Sequence, residues 1–107
     1  MLGLTSAQMR NYEGYLEKRE AKTIALFKKH FFKIIDAQIL IYFEHQNNQT
    51  FKGYYKISEI SEPMPTDEKH FSFKYNERNL EFRANSYQER ERWIYSISQC
   101  REFLKNN

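Results

Sequence analysis

Apolar and polar residues alternate with a period close to two over the first 84 positions, then recur with a helical period to the end. The alternating part predicts short strands at 12–18, 27–35, 39–44, 54–57, 70–75 and 79–84, with Ile60 opening one more. Asp36, Ala37 and Gln38 make a tight connection, and Asn47 and Asn48 mark a polar loop. Asn76, Glu77 and Arg78 close a hairpin. The segment 59–69 holds Pro63 and Pro65, which have no N–H for a ladder, and reads as an exposed acidic loop.

The final element is a helix over 86–105. Ser86 with Glu89 three residues later forms a capping box, each side chain satisfying the other's orphan backbone N–H. Trp93, Ile97, Cys100 and Leu104 recur at spacings of four, three and four, widened by Ile94, and charged residues hold the opposite side. It is expected to be the only helix. Six or seven short antiparallel strands followed by one helix define a mostly β fold, a small barrel plugged at one end. Residues 1–11 read as an N-terminal extension and 12–105 as the domain.

Composition narrows this further. With 107 residues, of which 40% are hydrophobic, the chain supports one core and not two. Cys100 stands alone, which excludes an internal disulfide framework and fits a reducing, cytoplasmic setting. The first ten residues include Thr5, Ser6, Gln8 and Arg10, so no apolar leader core forms there. The run Ile39 to Phe43 is far short of the ~20 residues of a membrane helix.

The net charge of +3 is a weak fact until it is located. Between Lys18 and Lys33 lie six basic residues and one acid, Glu20; this window carries +5, so the other 91 residues carry −2. Clustered charge attracts an anionic partner where evenly spread charge does not. Alternation places Lys28, His30, Phe32 and Ile34 on one side of the second strand, and Leu16 with Lys18 on one side of the first. If the apolar members face inward, the same faces turn cationic toward the connecting loop. The result is a shallow pocket with an apolar floor and converging ammonium and imidazole groups. Phosphate suits it best, because charge-assisted hydrogen bonds to phosphate are about twice as strong as neutral ones.

These residues resemble a pleckstrin-homology domain. Glu13-Gly14-Tyr15-Leu16-Glu17-Lys18 is similar to the family's opening strand, and Phe27-Lys28-Lys29-His30-Phe31-Phe32-Lys33-Ile34 to its second. Leu40-Ile41-Tyr42-Phe43-Glu44 resembles the third strand and Lys52-Gly53-Tyr54-Tyr55 the start of the fourth. Arg83-Ala84-Asn85-Ser86-Tyr87-Gln88-Glu89-Arg90 with Trp93-Ile94 is similar to the last strand and the helix that follows. The resemblance implies a partly open seven-stranded antiparallel barrel of two near-orthogonal sheets, capped by the C-terminal helix.

It also implies a monomeric module that binds anionic phospholipid headgroups at the mouth of the first two strands, reversibly and at the membrane periphery. Lys18, Lys28 and His30 would contact phosphates, Tyr42 would donate its hydroxyl and Lys52 would add a cation. Arg19 and Lys22 would touch the headgroup or neighbouring lipids from the first loop. His30 stands where the tight-binding pattern has Arg. Arg offers a fixed fork of donors at every pH, and His offers two only when protonated. The implied ligand is therefore a phosphoinositide bound modestly or with broad specificity, or phosphatidic acid. No cofactor is implied.

Other chemistries fit less well. His30, His45 and His70 fall on separate segments, no metal-ligand spacing occurs, and Cys100 sits on the apolar helix stripe as an inert thiol, so the chain does not read as an enzyme. Lysines interleave with aromatics from Phe27 to Lys33, a pattern shared with nucleic-acid binders, but no basic track extends beyond it. The alternative is an adaptor that docks a protein on the side of the barrel with little lipid binding.

Overall fold

The structure is a computed structural model that describes residues 3–20 and 26–106. Its seven strands are β1 (Glu13–Glu20), β2 (Lys28–Ile35), β3 (Ile39–Phe43), β4 (Gly53–Lys56), β5 (Met64–Pro65), β6 (His70–Tyr75) and β7 (Arg78–Arg83). They form one antiparallel sheet in the order β4-β3-β2-β1-β7-β6-β5, with the end strands β4 and β5 not paired to each other. The two halves of the sheet face one another across a single core. Phe32 on β2 meets Phe82 on β7 edge-on at 5.8 Å, and Tyr55 on β4 meets Phe73 on β6 at 5.8 Å. β1 joins the halves, pairing with β2 along 13–18 and with β7 along 17–20. This is the open, seven-stranded barrel that the strand count and the resemblance lead one to expect.

One end is closed by α2 (Tyr87–Lys105), whose Trp93, Ile97 and Cys100 are buried against the sheet. Trp93 is completely covered, beside Tyr12 at 4.8 Å and Phe32 at 6.5 Å. Emptying such a site to Ala typically costs about 3–5 kcal/mol. The Ser86 hydroxyl caps the helix by accepting from the Glu89 N–H. The reciprocal half of the expected capping box is absent: the Glu89 carboxylate accepts instead from the Tyr12 hydroxyl at 2.9 Å. Burial together with this carboxylate pushes the Tyr12 phenol up to about 12.

Three expectations need correction. α2 is not the only helix, because α1 (Ser6–Arg10) precedes the sheet and a short 3-10 turn follows β4 at Ile57–Glu59. Thr5 and Gln8 form a complete capping box, so a local start signal was present in a stretch too short to display a helical stripe. Ile60 opens no strand; it is buried at the end of the 3-10 turn, and the remaining strand is β5. The 59–69 segment is therefore not wholly an exposed loop, since Met64 and Pro65 pair with Ser72 and Phe71. A proline is tolerated there because β5 is an end strand, with one side that needs no donor.

α1 packs on α2 and secures the β2–β3 turn. Met9 is buried, the Arg10 guanidinium lies 4.0 Å from the centre of the Phe103 ring, and the Cys100 thiol points at the Met9 carbonyl. In the three-residue connection Asp36 and Ala37 both take positive φ, 50° and 62°, as the central pair of a primed turn closed by the Gln38 N–H on the Ile35 carbonyl requires. Their N–H groups donate to Asn11 Oδ1 at 3.1 Å and to the Arg10 carbonyl at 2.9 Å.

Candidate functional site

The inward faces of β1 and β2 become steadily more polar toward one end of the barrel. On β2, Ile34 and Phe32 are fully buried, His30 is 6% exposed and Lys28 stands in solvent. On β1, Leu16 is buried and Lys18 half-buried. The register sets Leu16 opposite His30 and Lys18 opposite Lys28, so the two gradients coincide. The apolar floor and the cationic rim are both present.

Lys18 reaches over the opening rather than into water. Its ammonium donates to the Tyr55 hydroxyl at 3.2 Å and lies 4.5 Å from the centre of the Tyr42 ring. The two tyrosines stack at 5.8 Å, giving the cation two aromatic faces. Tyr42 also stacks on Phe32 at 5.1 Å and lies 5.4 Å from the His30 ring. Its place depends on a glycine. A Cβ added at Gly53, the residue opposite Tyr42, would come within 2.6 Å of the Tyr42 hydroxyl and 2.8 Å of the ring carbon that bears it.

Lys52 lies just ahead of β4, its N–H donating to the Tyr42 carbonyl and its ammonium paired with Glu44 at 3.1 Å. His30 feels all of these groups. Burial pushes its pKa below the usual histidine value of 6.5, and Lys18, Lys52 and Lys28 add to the depression while Glu44 opposes it. The free imidazole is therefore neutral at pH 7, and its buried Nδ1 has no hydrogen-bond partner among the described residues. Three lysines near one neutral histidine, with one carboxylate among them, make a local excess of positive charge.

Arg19 lies elsewhere. β1 runs on to Glu20, which turns Arg19 to the opposite face from Lys18. There its guanidinium pairs with Glu81 at 2.6 Å and lies 4.6 Å from the centre of the Phe27 ring, whose other neighbours include Arg83 at 4.7 Å. Arg83 in turn grips Glu17 in a two-pronged contact and holds its carboxyl below the usual range. This outer-face basicity is spent on cross-strand ion pairs. Lys22 is outside the described residues.

Three groups at the mouth escaped the sequence reading. Tyr55 was legible from alternation, since Gly53, Tyr55 and Ile57 share the inward side; what its hydroxyl meets was not. Glu44 and Gly53 act through proximity to Lys52 and Tyr42, and neither carries a signal in one sequence.

An open seven-stranded sheet, plugged by a helix and carrying a cluster of cationic and aromatic groups at the mouth of its first hairpin, defines a small β-barrel module. A model of the PH domain matches residues 10–102, and the chain belongs to that family, whose members are generally non-catalytic modules that bind lipids or proteins. Among solved structures it is similar to the N-terminal PH domain of human ARAP2 protein, with a TM-score of 0.76, 22% identity and coverage of 95% of this chain and 88% of that one. It is also similar to the PH domain of human TBC1 domain family member 2 protein, with a TM-score of 0.78, 18% identity and coverage of 92% and 86%. Likeness at these identities speaks for the fold alone. No curated protein matches significantly. Among the described residues no helix is long and apolar enough to cross a membrane.

Proposed function

We propose that this domain is a membrane-targeting module. It binds the phosphorylated headgroup of an anionic phospholipid, a phosphoinositide or phosphatidic acid, at the mouth between β1 and β2. Lys18 and Lys28 provide the principal charge, Lys52 adds to it once drawn from Glu44, Tyr42 offers its hydroxyl and His30 its unpartnered ring nitrogen. The observation that carries the reading is the grouping of three lysines about the buried His30. Lys18 and Lys28 face each other one inward pair beyond Leu16 and His30, Lys18 lies over the Tyr42 ring beside the imidazole, and the Lys52 N–H donates to the Tyr42 carbonyl. Leu26, 83% exposed and two residues from Lys28, adds an apolar group beside the charged rim. Attachment is peripheral, reversible and on the cytoplasmic side. Basic residues at an anionic leaflet contribute about 1 kcal/mol each. Three or four of them support modest affinity, and a neutral histidine does not supply the fixed fork of donors that sharp headgroup discrimination needs.

The test is sedimentation with phosphatidylcholine vesicles, plain or containing a phosphoinositide or phosphatidic acid, for the wild type, Lys28→Glu and Lys18→Glu/Lys28→Glu. Lys28 is exposed, so its reversal leaves the fold intact and is expected to weaken binding about tenfold; the double reversal abolishes it. Undiminished binding by the folded double variant would overturn the proposal in favour of a site elsewhere. Absence of wild-type binding to every anionic vesicle leaves the adaptor reading.

A further inference from the structure

Antiparallel sheets with one solvated face alternate apolar-in and polar-out, and β3 breaks that rule. Leu40 and Tyr42 point inward, so Ile39, Ile41 and Phe43 point out, where the core makes no use of them. The neighbours continue the pattern. In register across the outer face run Lys33, Ile41 and Tyr54, and next to them Ile35, Ile39 and Lys56. Ile35, Phe51 and Tyr54 are 41%, 48% and 46% exposed, and the Phe51 and Tyr54 rings meet edge-on at 6.0 Å to form a wall. Beside this wall lies a groove of about 450 Å³, lined also by Gln38, Ile39, Ile41, Lys56 and Ser58. Contiguous exposed apolar surface with a polar frame is what an interaction site looks like, and this volume is in the range of ligand-sized concavities.

The frame says what it receives. Lys33 and Lys56 stand at opposite corners of the two rows, and among the described residues neither has an ion-pair partner. Glu13, in register with Lys33, and Asp36, beside Ile35, leave both lysines unpaired. A second copy of the chain docking through the same face would bring this cationic frame against itself, because a twofold interface is self-complementary. A groove also suits a segment that enters it better than it suits a bilayer surface. The patch extends away from the mouth: Lys28 and Ile35 are seven residues apart on β2, about 23 Å at strand rise. Both sites are thus open to occupation at once.

We propose that the outer face of β2, β3 and β4 docks a segment of a partner protein that carries two apolar side chains flanked by carboxylates. The apolar pair fills the groove against Ile39, Ile41 and Tyr54, and the carboxylates meet Lys33 and Lys56. The surface is independent of the headgroup site and gives a membrane-attached domain a second hand.

The experiment uses the full chain labelled with nitrogen-15 and a set of twelve-residue synthetic peptides, each with two Leu or Phe residues and either Asp/Glu or Lys flanks. Acid-flanked peptides are expected to shift the amide resonances of Ile39, Ile41 and Tyr54 and to leave those of Lys18 and Lys28 in place. Lys33→Glu/Lys56→Glu, altered only at two exposed positions, should bind them about tenfold more weakly and reverse the preference toward Lys-flanked peptides. The proposal is overturned by the absence of shifts with any peptide, by shifts confined to the mouth, or by an unchanged preference in the reversed variant. It is overturned equally if the same amides shift with protein concentration alone, which would mean self-association, or are broadened only by anionic vesicles.

Discussion

The Lys18 ammonium lies 4.5 Å from the centre of the Tyr42 ring, and Tyr42 can hold that position only because residue 53 has no side chain. A methyl group at Gly53 would approach three atoms of the Tyr42 ring and hydroxyl to between 2.6 and 2.9 Å. The ring would have to leave its stack on Phe32 and withdraw the face presented to Lys18. Gly53→Ala is therefore expected to destabilise the domain by about 1–3 kcal/mol, the usual cost of overpacking, and to weaken binding to anionic vesicles. A double-mutant cycle with Tyr42→Leu in urea unfolding checks the cause. If the cost of Gly53→Ala stays the same when the Tyr42 ring is absent, the close approach is not its origin.

His30 should give stability and binding opposite responses to acid. Its pKa lies below the unfolded value because the ring is buried and faces Lys18, with Lys52 and Lys28 beyond. The folded chain then binds fewer protons than the unfolded one below about pH 6.5, so this residue's contribution is whole above that value and lost as pH falls toward the depressed folded value. A bound phosphate reverses the balance, since an adjacent anion favours the imidazolium. Lowering the pH from about 7.5 to about 5.5 should weaken the free domain against urea and strengthen its attachment to anionic vesicles. His30→Gln should flatten both responses. The same acid dependence in that variant would remove His30 from the explanation.

The cations of the outer face make the complementary case. Arg19 and Arg83 flank Phe27 and answer to Glu81 and Glu17, each pair directly opposed across β1 and β7. Such half-exposed pairs contribute about 1 kcal/mol or less. Arg19→Gln and Arg83→Gln should lower thermal stability slightly and leave vesicle binding within about twofold of the wild type, unlike Lys28→Glu. A tenfold loss of vesicle binding in Arg19→Gln with unchanged stability would show that this arginine serves the lipid and not the sheet.

What one sequence could disclose here follows from the range of the forces involved. Alternation depends on adjacent positions, so the inward face of β2, with Ile34, Phe32, His30 and Lys28 in order, was visible without coordinates. The helix was visible because its stripe is long and starts at a cap. α1 and β5, at five and two residues, are too short to show a period, and both are held mainly by what they pack or pair against. Arg19 illustrates the sharper limit. One residue separates it from Lys18, yet the extra length of β1 needed to put it beside Glu81 comes from pairing with β7, some sixty positions away. Likewise the Glu89 carboxylate that would complete the Ser86 cap meets Tyr12 instead, 77 residues from Glu89.

Cys100 offers a way to watch α1. Its thiol is 1% exposed, pushed up to about 11 by burial, and covered by Met9, whose carbonyl it faces. Because the thiolate is the reactive form, labelling of the native chain with an aromatic disulfide reagent should be slow and should report openings that expose Cys100. Met9→Ala empties one buried side chain of the short helix, a change of about 2–5 kcal/mol for a site that cannot collapse. If α1 lifts as a local unit, labelling in this variant should quicken by more than its loss of global stability accounts for. Ile57→Val, a core change away from α1, provides the comparison at a known loss of stability. Labelling that follows global stability identically in both variants would show that α1 opens only when the whole domain unfolds, and that residues 6–10 belong to the cooperative fold and not to an extension ahead of it.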